Sequence, residues 1–452
     1  MLVITELLTV VSSEFSAANL RNFSLIIEGI LGISHRVTTL SLARYTGLSA
    51  RTMQRFYALK QLNWTLVNFL LFKQFFYQAH KHYLLTGDET VQAKAGKKSY
   101  GLGRFYSSLS KQVISSVSFL AMSIIDVEKE ESYILASQQL LADNLPAKTE
   151  GKDKGKDKDK DKDKGKDKGK PSGRPKGSKN QPKTEPCTTS YQTLKALLAL
   201  VQSQCKKYLP DLKCFHLVLD GFYGHGDYLR LAASEGLQII SKFKSNAALI
   251  LPYHGPQLGQ GRPRQLGNKV KLDQISPQFY QTTLTEADSD VSTQVYQFVA
   301  FTPKISGIPL NIVVLIHTHL VSKKVSRTIL FSNDLSLDAL TLIKYYSLRF
   351  QIEFDFRDAK QFYGLSDFKN YKQAQLTNAV NLAFTMTLIG KLVLEKYRIK
   401  LNCPTMGLID LKTIFRTQKC AQILLNQTDL DLDQFLNNPL CLKLARLEAI
   451  HI

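Results

Sequence analysis

A third of the way along the chain, residues 151–170 read GKDKGKDKDKDKDKGKDKGK. No residue in this run is apolar, so it has nothing to bury and cannot form part of a packed core. Any fold must be assembled from the sequence on either side, joined by a solvated tether that we place at 148–186. Lengthening a flexible loop costs only ~0.6 kcal/mol per doubling. The tether can therefore interrupt a single domain, and we expect it to be disordered and dispensable.

The remaining sequence is rich enough to fold. Of 452 residues, 44% are hydrophobic, which excludes wholesale disorder. The formal charge is 59 − 38 = +21, which favours polyanionic partners. The tether region is only part of the cause. Lys148 to Glu185 holds 15 basic and 8 acidic residues, or +7, which leaves +14 elsewhere. Between Glu28 and Asp88 there is no acid, but seven cations: Arg36, Arg44, Arg51, Arg55, Lys60, Lys73 and Lys81. An ordinary solvated surface mixes signs, so this stretch points to nucleic acid. A membrane is not expected. Val113–Ile125 is too short to span, Ala379–Leu394 is interrupted by Asn381 and Lys391, and the N-terminus carries Glu6 without a basic n-region. The six cysteines form no C-x-x-C pair; a cytosolic protein with reduced, mostly buried thiols is expected.

The first 80 residues read as helical. Within Thr38–Tyr57, Leu42 and Ala43 suit a small core, Gly47 suits a left-handed helix end, and Ser49 suits a cap. A second helix, Ala50–Lys60, would bury Met53 and Phe56 and expose Arg51, Gln54 and Arg55. That is a helix-turn-helix pattern, whose second helix can enter a major groove. Strands are expected at Tyr83–Asp88, Ser115–Asp126, Ser132–Leu135, Phe215–Asp220 and Leu237–Phe243. Helices are expected at Ser190–Tyr208 and Asp227–Glu235. Residues 244–330 read as a β-rich insertion, with strands at Tyr296–Phe301, Leu310–His317 and Thr328–Phe331. Leu337–Tyr363 reads as one long helix, and 391–452 as a C-terminal helical region suited to dimerisation.

The long helix carries a polar stripe. At about 100° per residue, Tyr346, Arg349, Glu353, Arg357 and Lys360 fall within roughly 80° of one another. Large apolar neighbours (Phe350, Ile352, Phe354, Phe356) imply packing on several sides, with the stripe facing a cleft. Two further acids sit at strand ends, Asp88 and Asp220. Two aspartates on adjacent strands and a glutamate on a crossing helix can hold two Mg²⁺ or Mn²⁺ ions about 4 Å apart for in-line phosphoryl transfer. All-oxygen donors fit these ions better than zinc.

Tyr346-x2-Arg349-x3-Glu353-x6-Lys360 resembles the Tyr–Arg–Glu–Lys signature of bacterial insertion-sequence DDE transposases. The segments at GDET (87–90), LVLDGFYGHGDYL (217–229) and ISKFKSNAALILPYHGP (240–256) resemble, in order, those around the two aspartates and the start of the β-insertion. The resemblance covers roughly residues 35–395. It implies an α/β fold: a ribonuclease-H-like catalytic core over 81–390, a mixed sheet flanked by helices. That core would be interrupted by the tether and the 244–330 insertion, and preceded by an N-terminal helical DNA-binding domain, 1–80. It implies Asp88, Asp220 and Glu353 as metal-binding catalytic acids, and Tyr346, Arg349 and Lys360 as contacts to double-stranded DNA. It also implies cut-and-paste transposition, a synaptic homodimer, and a cytoplasmic, nucleoid-associated location.

Relatives stack a flipped base on a tryptophan, whereas the single Trp64 here lies in the N-terminal region. GRPKGSKN (173–180, with Arg174) and GRPR (261–264) read as minor-groove hooks. No nucleotide-binding loop accompanies Gly101-x-Gly103, so no ATP requirement is expected. The rival readings are a structure-specific ribonuclease-H-like nuclease and a non-catalytic DNA-binding protein derived from a transposase.

Overall fold

The computed structural model describes residues 2–60, 62–107, 110–141, 189–257, 260–261, 263–285 and 290–425. The tether, Arg174 with its basic string, and the residues after Leu425 lie outside these.

Five helices open the chain: α1 (Leu2–Val10), α2 (Ala17–Gly32), α3 (Thr39–Thr46), α4 (Ala50–Tyr57) and α5 (Trp64–Phe75). Helix α3 is closed by Gly47 at φ 76°, and Ser49 accepts the Thr52 N–H to start α4. Helix α2 meets α3 closely. A Cβ on Gly32 would lie 2.0 Å from the Tyr45 hydroxyl, so only glycine permits that approach. Leu42, Ala43, Met53 and Phe56 are buried, while Arg51, Gln54 and Arg55 are exposed, as the pattern requires. Helix α4 ends at Tyr57, a turn earlier than Lys60.

A large mixed sheet follows. Its strands are β1 (His82–Ala93), β2 (Gly103–Ser107), β3 (Gln112–Asp126), β4 (Glu131–Leu140), β5 (Lys213–Leu219), β6 (Gln238–Phe243), β7 (Ile250–Pro252), β8 (Leu266–Lys269), β9 (Tyr280–Thr285), β10 (Val291–Thr302), β11 (Ile305–His319) and β12 (Val325–Ser332). The order is β2-β3-β1-β5-β6-β12-β11-β10-β7-β8, with β4 also on β3 and β9 on β10. Strand β1 runs antiparallel to β3 and parallel to β5, and β5 is parallel to β6. This mixed sheet flanked by helices is consistent with a ribonuclease-H-like fold. Strands β10–β12, inside the span read as an insertion, continue the sheet antiparallel from β6.

Helices α6 (Thr189–Tyr208) and α7 (Gly226–Ser234) cover one face of the sheet. Helix α8 (Ala339–Leu348) covers the other, packing Leu342 and Leu348 against Leu84, Val218, Ile240 and Leu330. Helices α9 (Gln351–Gln361), α10 (Gln373–Lys400) and α11 (Leu408–Leu425) are the last elements among the described residues. Helix α10 is long and apolar enough to cross a membrane, but 89% of that window is buried inside the protein. The polar interruptions at Asn381 and Lys391 meet Ser137 and Asp355. The N-terminal helices share this core. Trp64 Nε1 donates to Asn378 on α10 (2.9 Å), the Tyr45 hydroxyl to the Phe415 carbonyl on α11 (3.1 Å), and Asn378 Nδ2 to the Tyr57 carbonyl (2.8 Å).

Four sequence expectations change. Strand β1 is twice the expected length, so Asp88 lies inside the strand rather than at its end. The helix expected over Leu337–Tyr363 is two helices, broken at Arg349 and Phe350. There the backbone makes i→i+3 bonds: Phe350 N to Ser347 O, Ile352 N to Arg349 O and Glu353 N to Phe350 O. This tightening changes the rotational phase across the joint, so one wheel does not describe both helices. Phe350 and Phe354 are 47% and 36% exposed, whereas Ile352 and Phe356 are buried; the joint is packed on one side only. Among the described cysteines, Cys205 is buried but Cys420 is exposed.

Candidate active site

Sheet geometry brings the two aspartates together. In the parallel β1–β5 pair, Gly87 lies opposite Leu219. Asp88 and Asp220 are each the next residue, on strands about 4.8 Å apart. Side chains alternate, so Asp88 shares a face with Leu84, and Asp220 with Val218. Both of those apolar residues pack under α8. The acids therefore emerge beneath the joint between α8 and α9, where Glu353 stands in the first turn of α9.

Arg349 links the two sides. Its Nη1 lies 3.5 Å from Asp88 Oδ2 and its Nη2 donates to Glu353 Oε1 at 3.1 Å. The Tyr346 ring lies 5.9 Å from the guanidinium, and its phenol interacts with Arg349 and Asp220. Burial, with Asp220 adding to it, raises the Tyr346 phenol to about 12 against the opposing pull of Arg349. Asp88 is raised from 3.8 to about 6. Burial is the main cause, with Glu353 and Asp220 adding to it, opposed by the Glu89 N–H and Arg349. Burial acts to lower the Arg349 pKa, but Asp88, Tyr346, Asp220 and Glu353 outweigh it and hold the guanidinium above its usual value. Lys360 is lowered by burial, opposed by the charge of Asp88, so its ammonium also stands within electrostatic reach of that acid.

Tyr346, Arg349 and Glu353 thus gather around Asp88 and Asp220, with Lys360 near enough to feel the charge of Asp88. Arg357 does not, contrary to the single-stripe expectation. Its guanidinium lies 4.7 Å over the Phe354 ring and its Nε 3.5 Å from Asp358. It lines a cavity of about 340 Å³ between α9, α10 and α11, together with Tyr363, Lys391, Arg398 and Asp410. Arg51, Gln54 and Arg55 lie exposed on α4, outside the acidic cluster. Lys81 is not a free surface cation: its Nζ is buried against Asp126 at 3.0 Å. Trp64 is buried against Phe15 and Phe23, so it offers no stacking surface.

Sequence reasoning missed Glu89. Alternation turns it to the opposite face from Asp88, where the Ser190 hydroxyl (2.7 Å) and the Tyr223 hydroxyl (3.2 Å) both donate to its Oε1. Tyr223 belongs to the short 3-10 turn that follows Asp220. Glu89 therefore ties that turn to β1 and fixes the height of one aspartate relative to the other. The adjacency of two acids in GDET was the only hint.

The donors fit a hard divalent cation in kind: three carboxylates, two rooted in rigid parallel strands. Nevertheless, no three His, Cys, Asp or Glu side chains among the described residues close around one point, and Arg349 stands between Asp88 and Glu353.

A mixed sheet with two acids at its centre and a third on a crossing helix is consistent with the core of a ribonuclease-H-like nuclease. The sequence matches the DDE superfamily endonucleases over residues 10–298, well over half of the chain, and the chain belongs to that family. The match contains Asp88 and Asp220 and ends within β10, before α9. Such endonucleases act on DNA and generally use divalent metal ions. No curated protein matches the sequence.

Proposed function

We propose that the chain is a DNA transposase of the Tyr–Arg–Glu–Lys group, which cleaves its element's ends and joins them to target DNA. The observation that carries this reading is the gathering of Tyr346, Arg349 and Glu353 around Asp88 and Asp220, with Lys360 near enough to feel the charge of Asp88. Asp88, Asp220 and Glu353 would hold Mg²⁺ or Mn²⁺, which when bound supplies Lewis acidity to the scissile phosphate and an activated attacking oxygen. Arg349 and Lys360 bind the phosphates flanking the cut, Arg349 bidentately. Tyr346 orients Arg349 and Asp220. Partial burial of Arg349 and Asp88 beneath the helix joint strengthens their interaction.

Binding of the DNA ends is assigned to α3 and α4, with Arg51, Gln54 and Arg55 facing the major groove. Two copies of the chain would hold two ends in a synaptic dimer. The discriminating experiment incubates the protein with Mg²⁺ and labelled duplex carrying the DNA that flanks this reading frame. Cleaved ends joined to a second DNA are the expected product. Cleavage of branched DNA without joining would assign a structure-specific nuclease instead, and binding without cleavage a non-catalytic derivative.

A further inference from the structure

We propose that Arg349 keeps the carboxylate cluster closed to divalent cations until DNA draws its guanidinium away, so that metal and DNA bind cooperatively. The inference rests on the assignment of Asp88, Asp220 and Glu353 as the metal-binding acids.

The first observation is position. One guanidinium spans two of the three acids, at 3.5 Å from Asp88 and 3.1 Å from Glu353. A cation held by those two carboxylates would share that volume with a fixed positive charge, at a separation where like charges repel strongly in a buried setting. While Arg349 is in place, no three acidic, imidazole or thiolate groups among the described residues close around one point.

The second observation is satisfaction. The Arg349 side chain is only 13% exposed, yet its Nε has no hydrogen-bond partner. A guanidinium carries five N–H donors. Here it makes one bond of normal length to Glu353, one contact at the outer limit of bonding to Asp88 and an interaction with the Tyr346 phenol, and among the described residues none through Nε. Carboxylate or phosphate partners normally engage the fork with two parallel bonds. The present partners do not, so a phosphate offering both oxygens competes well for it.

The third observation is the backbone. Arg349 occupies the joint between α8 and α9, where the i→i+3 bonding replaces the α-helical ladder. Redirecting its side chain breaks the contacts to Asp88 and Glu353 but no backbone bond of either helix. If a DNA phosphate takes the guanidinium, the acids are freed for the metal. By linkage, the metal then tightens DNA binding by the same factor.

The test is titration of the DNA-free protein with Mn²⁺, followed by electron paramagnetic resonance of free and bound ion. Arg349→Gln is expected to bind Mn²⁺ about tenfold more tightly than wild type, a coupling within the usual range. Arg349→Lys keeps the charge without the fork and should fall between them, which provides a reading if the glutamine variant folds poorly. Adding duplex should tighten Mn²⁺ binding to wild type about tenfold more than it tightens binding to Arg349→Gln, where only the direct contact between metal and phosphate couples the two. Equal Mn²⁺ affinity of the DNA-free wild type and both variants would overturn the gate. A tight Mn²⁺ site that survives Glu353→Gln in the Arg349→Gln background would instead overturn the assignment of the acids on which the gate rests.

Discussion

Two of the carboxylates on helix α9, Glu353 and Asp355, meet cations in very different ways. Asp355 is 1% exposed; its Oδ1 takes Lys391 Nζ at 2.6 Å and its Oδ2 the Ser132 hydroxyl at 2.5 Å, while the same ammonium donates to the Ser132 carbonyl. Every partner is close, and the cluster joins α9, α10 and β4. Glu353 is more than a third exposed and shares Arg349 with Asp88, and the guanidinium is left partly unsatisfied. The first arrangement is closed and gains nothing by exchanging partners. The second is open, with guanidinium donors left for an anion such as phosphate. A buried ion pair by itself is weak evidence of function or of stability; what separates these two is how completely each is satisfied.

Breaking the closed pair gives the largest expected change in stability. Lys391→Met leaves the Asp355 carboxylate buried and unpaired, and should lower the unfolding free energy by about 3–5 kcal/mol, measured by urea denaturation. Burial already raises the Asp355 pKa against the pull of Lys391 and Ser132. The folded state therefore holds its proton more tightly than the unfolded chain, so stability falls as pH rises. The loss in Lys391→Met should accordingly shrink in acid. A loss that did not vary with pH would mean that Asp355 is not the group exposed by the substitution.

On the open side the acid is raised as well, but there its substitution should stabilise the protein. Asp88 titrates near 6 when folded, against 3.8 for an unperturbed aspartate. As a raised acid, it contributes a destabilisation that is absent below about 4, grows between 4 and 6, and is complete above 6. That difference corresponds to about 2–3 kcal/mol at about 1.4 kcal/mol per unit. Asp88→Asn, with metal chelated, should thus stabilise the protein at pH 8 and have little effect at pH 4. An asparagine variant that is less stable at pH 8 would show that Asp88 is a structural partner of Arg349 rather than a strained acid.

The smallest effect belongs to a surface remote from both clusters. Arg51→Ala on α4 should weaken DNA binding evenly across sequences and reduce the salt slope by about 1 if Arg51 meets a phosphate. If it reads a base edge, the loss should depend on sequence. An unchanged salt dependence and affinity would remove α4 from the interface.

Much of the fold was legible because its signals are local. Gly47, Ser49 and the Met53/Phe56 spacing specify the α3–α4 turn without reference to the rest of the chain, and the apolar run before Asp220 specifies β5. The three acids and the Tyr346–Lys360 spacing were legible as residue types at fixed intervals. What escaped depends on tertiary packing. Asp88 was placed at a strand end because the alternation after it is polar, yet pairing with β3 carries β1 on to Ala93. Arg357 lies on the same stripe of α9 as Glu353, but the Phe354 ring and Asp358 hold its guanidinium elsewhere. Glu89 and Lys81 have partners more than 40 positions away in sequence, which no local pattern reveals.

The central claim is that the open cluster performs phosphoryl transfer. Its most direct test compares Glu353→Gln with wild type in Mg²⁺-dependent cleavage of end DNA, with unfolding measured on the same samples. We predict that cleavage falls by at least about a thousandfold, equivalent to about 4 kcal/mol in the barrier, while stability changes by less than about 1 kcal/mol. Cleavage retained at the wild-type rate by a folded Glu353→Gln protein would contradict the account.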